Sequence, residues 1–437
     1  MKKLLSALLA ALLILSLSGC TGLSFNGEDT MRPPKASGDM SQIQKLIDKS
    51  CDCDYTLIYP SSGANRSAIT SFDVDSDKKD DAVALYKYNN KIHVLFIKGT
   101  DSDFAVEKDL TIEDSSIDRV EFSDIDNDGK NEILIGYSNG SANTNTLNIY
   151  EFSSEDKNFD FSCLYSSFIT GDFDYNGTND ILTLNLNINN EAYTANLFTY
   201  SDEDITKKSS CSIDSGVSKF INIQYGALNS TIVGAVVDSL TSSKEYSTQI
   251  IYYNADKSQL SNPMIEYSQY DYTKRTSQIP SADIDDDDII EMPVCSVMEH
   301  NDDEDDKTVA KLVSYNNLNF SSMDLEKKQR FILCEEDSYT FELPQSWIDT
   351  TTARYDKDKR ELTVYAFEYK DNKIKTTDSL LVIKTYNKDD FDKEKTVANV
   401  ISQNASNVYT YTLPDNDSYM KISDEDVISN FLNIKTQ

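Results

Sequence analysis

Four stretches of the chain place oxygen-bearing side chains at alternate positions: DVDSDKKDDAVALY from Asp73, DIDNDGKNEILIGY from Asp124, DFDYNGTNDILTLN from Asp172 and DIDDDDIIEMPVCS from Asp283. Counted from the first Asp, oxygens fall at positions one, three and five, and an acid returns at position nine as Asp81, Glu132, Asp180 or Glu291. Side chains at positions one, three and five of a tight loop can converge on one side of it. With a backbone carbonyl at position seven and the acid at nine they complete an oxygen cage suited to Ca²⁺, a hard cation. The competing reading is a set of Asp and Asn side chains making hydrogen-bonded turns with no metal. An EF-hand is excluded, because it needs a carboxylate at position twelve and helical flanks. Position twelve here is Ala84, Ile135, Thr183 or Val294, inside a strand-like run.

The elements around these loops repeat. The first three loops start about 50 residues apart, and the gap to the fourth is about twice that. A degenerate copy fits the middle at Tyr225 to Asp238, YGALNSTIVGAVVD, where the acids are gone and the strand remains. Between the first two loops lie four β-branched and aromatic runs, AVALYKY, KIHVLFIK, FAVEKDLTI and IDRVEFSD, with Asn89-Asn90 as a tight turn. The next unit repeats them as EILIGY, TLNIYEF, FDFSCLY and SFITGDFD. Five units, each a four-stranded antiparallel sheet, predict a β-propeller.

The pattern D-x-D-x-D-G-x-x-[DE]-apolar at this period resembles the FG-GAP/VCBS repeats of integrin-type β-propellers, over roughly residues 55 to 320. The resemblance implies loops that join the first two strands of a blade and bind calcium. Carried over, the ligands are Asp73, Asp75, Asp77 and Asp81; Asp124, Asp126, Asp128 and Glu132; Asp172, Asp174, Asn176 and Asp180; and Asp283, Asp285, Asp287 and Glu291. Position six favours Gly for a left-handed turn; Gly129 and Gly177 supply it, whereas Lys78 and Asp288 do not. The implied role of the metal is structural, not catalytic.

The predicted fold is mainly β: a five-bladed β-propeller over residues 40–330, followed by a small α+β domain over 331–437. Tyr55 to Pro60, YTLIYP, is expected to close the ring by pairing into the last blade, beside EMPVCSV and TVAKLVSY. SQIQKLIDK, Ser41 to Lys49, has helical apolar spacing. In the C-terminal part, ELTVYAFEY and SLLVIKTY read as strands, NKDDFDKEKTVANVIS as a helix, and Ser423 as the start of a capping box. The ELPQSW stretch is weakly similar to the extrinsic (PsbP-like) proteins of photosystem II, from which no function is carried over. Trp347, the single Trp, is assigned to the core.

The first 19 residues read as a lipoprotein signal peptide. Lys2 and Lys3 precede an apolar stretch, Leu4 to Leu17, that closes on Leu17-Ser18-Gly19-Cys20 and resembles a bacterial lipobox. Cys20 is then the lipidated residue, residues 20–39 a Gly-, Ser- and Pro-containing tether, and the body is anchored on the outer side of the bacterial cell membrane. Acids outnumber bases by 74 to 41, a net charge of -33, which argues against a nucleic-acid partner. Cys51, Cys53, Cys163, Cys211, Cys295 and Cys334 match no zinc spacing.

Catalytic signals are weak. Gly136-Tyr137-Ser138-Asn139-Gly140 spells G-x-S-x-G, but a strand follows it where a nucleophile elbow needs a helix. His93 and His300 are the only histidines; the first lies in a strand and the second precedes an acidic hairpin tip, Asn301 to Asp306. The favoured function is therefore a non-enzymatic binding or scaffold module for a protein or glycan partner. The alternative is an envelope hydrolase acting on polysaccharide through carboxylates on the propeller face.

Overall fold

The computed structural model describes residues 39–434, apart from 52–53, 102, 114–115, 139, 141–143, 154–158, 187–192, 302–307, 393–397 and 417. The expectations for the signal peptide, Cys20, the tether up to residue 38, Cys53 and most of the acidic hairpin tip lie outside the described residues.

The chain is mainly β, and its described strands form six antiparallel sheets. Sheet 1 holds β1 (Thr56–Leu57), β2 (Ile69–Phe72), β3 (Asp81–Tyr88), β4 (Lys91–Gly99) and β5 (Phe104–Ile112). Sheet 2 runs β6 (Ser116–Ser123), β7 (Glu132–Ser138), β8 (Asn145–Tyr150), β9 (Ser162–Tyr165). Sheet 3 runs β10 (Ser167–Gly171), β11 (Asp180–Asn185), β12 (Thr194–Ser201), β13 (Asp204–Ser212). Sheet 4 runs β14 (Val217–Ala227), β15 (Val233–Thr241), β16 (Tyr246–Asn254), β17 (Gln259–Ser261). Sheet 5 holds β18 (Met292–Val297), β19 (Lys311–Asn319), β20 (Asp324–Cys334) and β21 (Tyr339–Glu342), and the bridge Ala282–Glu291 adds a short first edge. Sheet 6 orders β22 (Thr351–Asp356), β23 (Glu361–Lys370), β24 (Lys373–Asn387), β26 (Asn407–Thr412) and β25 (Asn399–Gln403). The last strand, β27 (Phe431–Asn433), returns to pair with β21 in sheet 5.

Period-two alternation explains why the sheets stack. In β3, Val83 and Leu85 pack with Ile133 and Ile135 of sheet 2, while Ala82, Ala84 and Tyr86 face the other way. In β7, Leu134 turns to Phe168 and Ile181 of sheet 3. Leu182 and Leu184 then meet Ala235 and Val237 of sheet 4, whose Val236 meets Met292 and Leu318 of sheet 5. Strands β3, β7 and β11 are thus covered on both faces, which is why they read as largely apolar runs. Such a face-to-face series of meanders is propeller-like.

Both ends of the series are capped. Helix α1 (Asp39–Ser50) lays Ile43 and Ile47 on Ala82, Ala84 and Tyr86 of sheet 1, the two alanines leaving room for it. Sheet 6 packs Trp347, Leu362, Val364 and Leu381 with Ile332 and Phe341 of sheet 5.

Several expectations are corrected here. Tyr55–Pro60 does not pair into the last repeat sheet: Thr56 and Leu57 pair with Lys87 and Tyr86 in sheet 1. Ser61 and Ser62 then donate backbone N–H bonds to Ile117 and Asp118 on β6. Among the described residues no strand pairing joins sheet 1 to sheet 5. IDRVEFSD opens the second sheet instead of ending the first, because β6 pairs with β7. A division at residue 330 falls inside β20, and β21 and β27 belong to sheet 5, so the two parts share a sheet. Of the predicted helix at 387–402, the described residues form one 3-10 turn, Lys388–Asp390, and the start of strand β25, whose Val400 pairs with Thr410. Helix α2 (Pro263–Glu266) follows β17, and α3 (Asp424–Ser429) carries the expected capping box between Ser423 and Asp426.

Candidate metal sites in the acidic loops

Each acidic loop joins the first two strands of a sheet: 73–80 links β2 to β3, 124–131 links β6 to β7, 172–179 links β10 to β11, and 283–290 links Ala282 to Glu291 and β18. The four share one backbone course. Position four is left-handed at Ser76, Asn127, Tyr175 and Asp286, with φ of 60°, 61°, 61° and 58°. Position six is left-handed at Lys78, Gly129, Gly177 and Asp288, with φ of 71°, 87°, 86° and 64°. Lys78 and Asp288 therefore adopt the turn without glycine, at a cost of about 1 kcal/mol each.

The loops bring together positions one, three and nine. Carboxylate oxygens of Asp73, Asp75 and Asp81 lie within 4.8 Å of one another, as do those of Asp124, Asp126 and Glu132, of Asp172, Asp174 and Asp180, and of Asp283, Asp285 and Glu291. Position five lies outside these groups. Asp77, Asp128, Asn176 and Asp287 instead accept from the backbone N–H two residues on, at 2.9, 2.8, 2.7 and 2.9 Å. Position one also serves the turn; Asp73 and Asp283 accept from the N–H groups of positions five and six with both oxygens.

The position-nine acids are fully buried at the start of the covered strand. One oxygen of each accepts from the N–H of position two: Val74 at 3.0 Å, Ile125 at 2.6 Å, Phe173 at 2.9 Å and Ile284 at 3.0 Å. The second oxygen separates the loops. That of Asp81 accepts from Gly99 N–H at 2.9 Å. Glu132 Oε1, Asp180 Oδ1 and Glu291 Oε1 are buried with no hydrogen-bond partner, and so are Asp124 Oδ1 and Asp75 Oδ1. A buried carboxylate oxygen without a partner costs free energy in the absence of a counter-charge. Burial accordingly pushes Glu132 up to about 8, helped by the carboxylates of Glu151, Asp126 and Asp124 and opposed by the Ile125 N–H. Burial pushes Asp180 up to about 6, helped by the Asp174 carboxylate and opposed by the N–H groups of Phe173 and Asp174. Asp81, Asp126 and Glu291 are raised for the same first reason, desolvation.

Two loops carry a built-in cation. Lys98 of β4 pairs with Asp75, and Lys208 of β13 pairs with Asp174, whose side chain is fully buried. In the other two loops lysines reach position five: Lys130 to Asp128 at 3.2 Å and Lys328 to Asp287 at 3.8 Å. The donor set throughout is hard oxygen with no sulfur or nitrogen, which suits Ca²⁺ or Mg²⁺ and not a thiophilic metal. Sequence reasoning missed Lys98 and Lys208 because they lie on later strands, and pairing across the sheet alone brings them to the loop.

Successive loops bond to one another at one end of the sheets. Asn131 N–H donates to Val74 O at 2.8 Å and Ser76 Oγ to Gly129 O at 2.6 Å. Asn179 Nδ2 donates to Asp124 O at 3.1 Å, Tyr225 OH to Asp172 O at 2.8 Å and Tyr175 OH to Thr231 O at 3.2 Å. Ile290 N–H donates to Ala227 O at 3.0 Å. The degenerate loop, Leu228 to Ile232, belongs to this belt as an acid-free turn closed by Asn229.

The remaining chemistry candidates are structural. His93 stacks on Tyr86 and its Nδ1 lies 3.1 Å from Asp109. His300 Nδ1 lies 2.9 Å from Met298 O. Ser138 ends β7 and opens no helix. Cys163, Cys211, Cys295 and Cys334 are free thiols, and burial pushes Cys163, Cys211 and Cys334 up to about 12, away from reactive thiolate.

No family model matches the chain, and no curated protein matches it. Among solved structures, a protein from Lactobacillus plantarum is 9% identical, with 69% of this chain and 82% of that one covered and a TM-score of 0.30. The exotype rhamnogalacturonan lyase YesX is 9% identical over 73% and 76% of the two chains, with a TM-score of 0.30. The Bacillus licheniformis rhamnogalacturonan lyase PL11 is 11% identical over 75% and 77%, with a TM-score of 0.29. These likenesses are too distant to carry an argument about fold or activity.

Proposed function

We propose that the chain is a lipid-anchored, extracytoplasmic binding protein whose propeller-like sheets are braced by Ca²⁺ in the acidic loops. The observation that carries the brace is the set of buried, unpartnered carboxylate oxygens, Asp124 Oδ1 and Glu132 Oε1 above all, facing one another in loops of identical course. A divalent cation would supply the missing charge, and the loop-to-loop hydrogen bonds would spread the stiffening along the belt. The loops 124–132 and 283–291 are the stronger sites, since position three is paired to a lysine in the other two, Asp75 to Lys98 and Asp174 to Lys208. The role we assign to the metal is structural, since among the described residues each group is made of carboxylates in a turn that braces the start of a covered strand. Anchoring rests on the lipobox-like sequence ending at Cys20. A rigid stack whose first strands converge centrally offers a fixed face for a protein or glycan partner. Thermal melting of the full chain with calcium and with chelator tests the brace. A midpoint that rises with calcium, and rises less in Asp126→Ala, supports it; equal midpoints in both conditions refute it.

A further inference from the structure

The first strands of sheets 2, 3 and 4 surround a cavity of about 750 Å³, closed on one side by the segment Ser61 to Arg66. Three cations line it, Arg66, Arg119 and Lys219, against one acid, Glu121. That is the reverse of the molecule's balance of 41 basic to 74 acidic residues. Burial raises the Glu121 carboxyl, and the neighbouring Arg119 charge opposes the shift.

Among the described residues none of the three cations forms a salt bridge, although the Arg119 charge acts on the nearby Glu121. Arg119 is half-buried; it donates to Phe168 O at 2.8 Å and to the hydroxyls of Ser62 and Ser167 at 3.4 and 3.5 Å, and lies over the Phe168 ring. Arg66 donates only to Gly63 O, at 3.2 Å. Lys219 is exposed at the cavity wall and has no hydrogen-bond or salt-bridge partner among the described residues. The nearest other acid, Asp118, does not line the cavity: its carboxylate accepts from Ser61, Ser62 and Tyr165, at 3.0, 3.0 and 2.6 Å, and so holds the wall in place. Gly63, at φ 81°, fits that wall closely, since a Cβ there would stand 2.7 Å from Arg119 Cγ and 2.8 Å from Glu121 Oε1. The edge of β6 is covered by Ser61, Ser62 and Asn65, which donate to Ile117, Asp118 and Val120, whereas β10 and β14 each pair with one strand only, so that the rest of their edges, with Ser167 and Thr170, lines the cavity with polar groups.

We propose that this central cavity binds a hydroxylated organic carboxylate of the sugar-acid class, its carboxylate held by Lys219 and the two arginines and its hydroxyls by the strand edges. The inference rests on the binding-protein reading and names its ligand. Uncompensated cations gathered in a cleft focus an attractive potential on an anion. The volume lies in the range of small-ligand sites. A multiplicity of hydroxyl and backbone partners beside the cations favours a polyhydroxylated anion over a bare one.

Calorimetric titration of the full chain with a short oligo-glucuronate, the matching neutral oligoglucose and inorganic phosphate tests this. Expected are binding of the uronate that weakens with salt, no heat with the neutral sugar, and weaker binding of phosphate. Lys219→Met, an exposed change that breaks no contact, should weaken uronate binding about tenfold; Gly63→Ala, which displaces Arg119 and Glu121, should weaken it as well. Equal affinity for the neutral sugar, or phosphate binding as tightly as uronate, would overturn the assignment. Absence of uronate binding by a chain whose melt still responds to calcium overturns the ligand and leaves the braced scaffold standing.

Discussion

Replacing Glu132 by Gln should stabilise the metal-free protein and abolish the calcium response of its loop. In the unfolded chain this carboxyl ionises near its ordinary 4.5, whereas in the folded, metal-free chain it keeps its proton up to about 8. Between those values folding takes up a proton, so stability falls as the pH rises through the window. At pH 7 the penalty is about 3 kcal/mol, from ~1.4 kcal/mol per pH unit across the interval. Gln carries no charge, keeps an oxygen for the Ile125 N–H and can donate to Asp124 or Asp126, so that penalty disappears. Calcium removes the same penalty in the parent protein, because binding requires the carboxylate and releases its proton; at a hundredfold excess over Kd a site adds about 2.7 kcal/mol. The assay is a pair of thermal melts at pH 7, in chelator and in calcium, repeated at pH 5. In chelator the variant should melt above the parent at pH 7 and approach it at pH 5, and calcium should narrow the gap at pH 7. A variant that melts below the parent in chelator would refute the view of Glu132 as an uncompensated buried acid.

Lys208→Met should lower stability in chelator by about 1–2 kcal/mol, because Asp174 loses its ion pair; the calcium stoichiometry read by calorimetry should rise, as the loop trades a tethered ammonium for a free ion. Arg275→Met should cost about 3–5 kcal/mol in urea unfolding. Arg275 and Asp238 form a pair buried to 1% and 2% side-chain exposure, and Asp238 also accepts from Thr248 and Ser281. Gly171→Ala should cost about 1–3 kcal/mol by overpacking, since its Cβ would stand 2.7 Å from the Tyr225 ring that wedges between sheets 3 and 4. Gly129→Ala should cost only about 1 kcal/mol, because nothing lies within 4 Å of its Cβ and the left-handed φ of 87° is the sole obstacle.

Local physics was legible in the residues. An Asp at position one caps its own turn, a position-nine acid reaches back to the N–H of position two, and a β-branched run follows as a strand. These are short-range contacts, set by spacing along the chain. For the same reason Ile43 and Ile47 announced a helix, and Ser423 with Asp426 a capped one. The sequence also specified the repeat, since the same loop and the same buried strand recur together.

What only the tertiary structure decided is which distant groups meet. Thr56 and Leu57 have strand propensity, which says nothing about the partner, and the partner they take is β3 of sheet 1. Residues 399–403 carry a helical pattern, yet the free edge of β26 drew them into a strand, because an unpaired ladder outweighs a weak propensity. Lys98 and Lys208 share their charge with every other lysine; strand pairing alone sets them over Asp75 and Asp174. Arg66, Arg119 and Lys219 are scattered through the chain with no motif among them. They became one cationic cavity because three first strands converge, a long-range arrangement that no local spacing encodes.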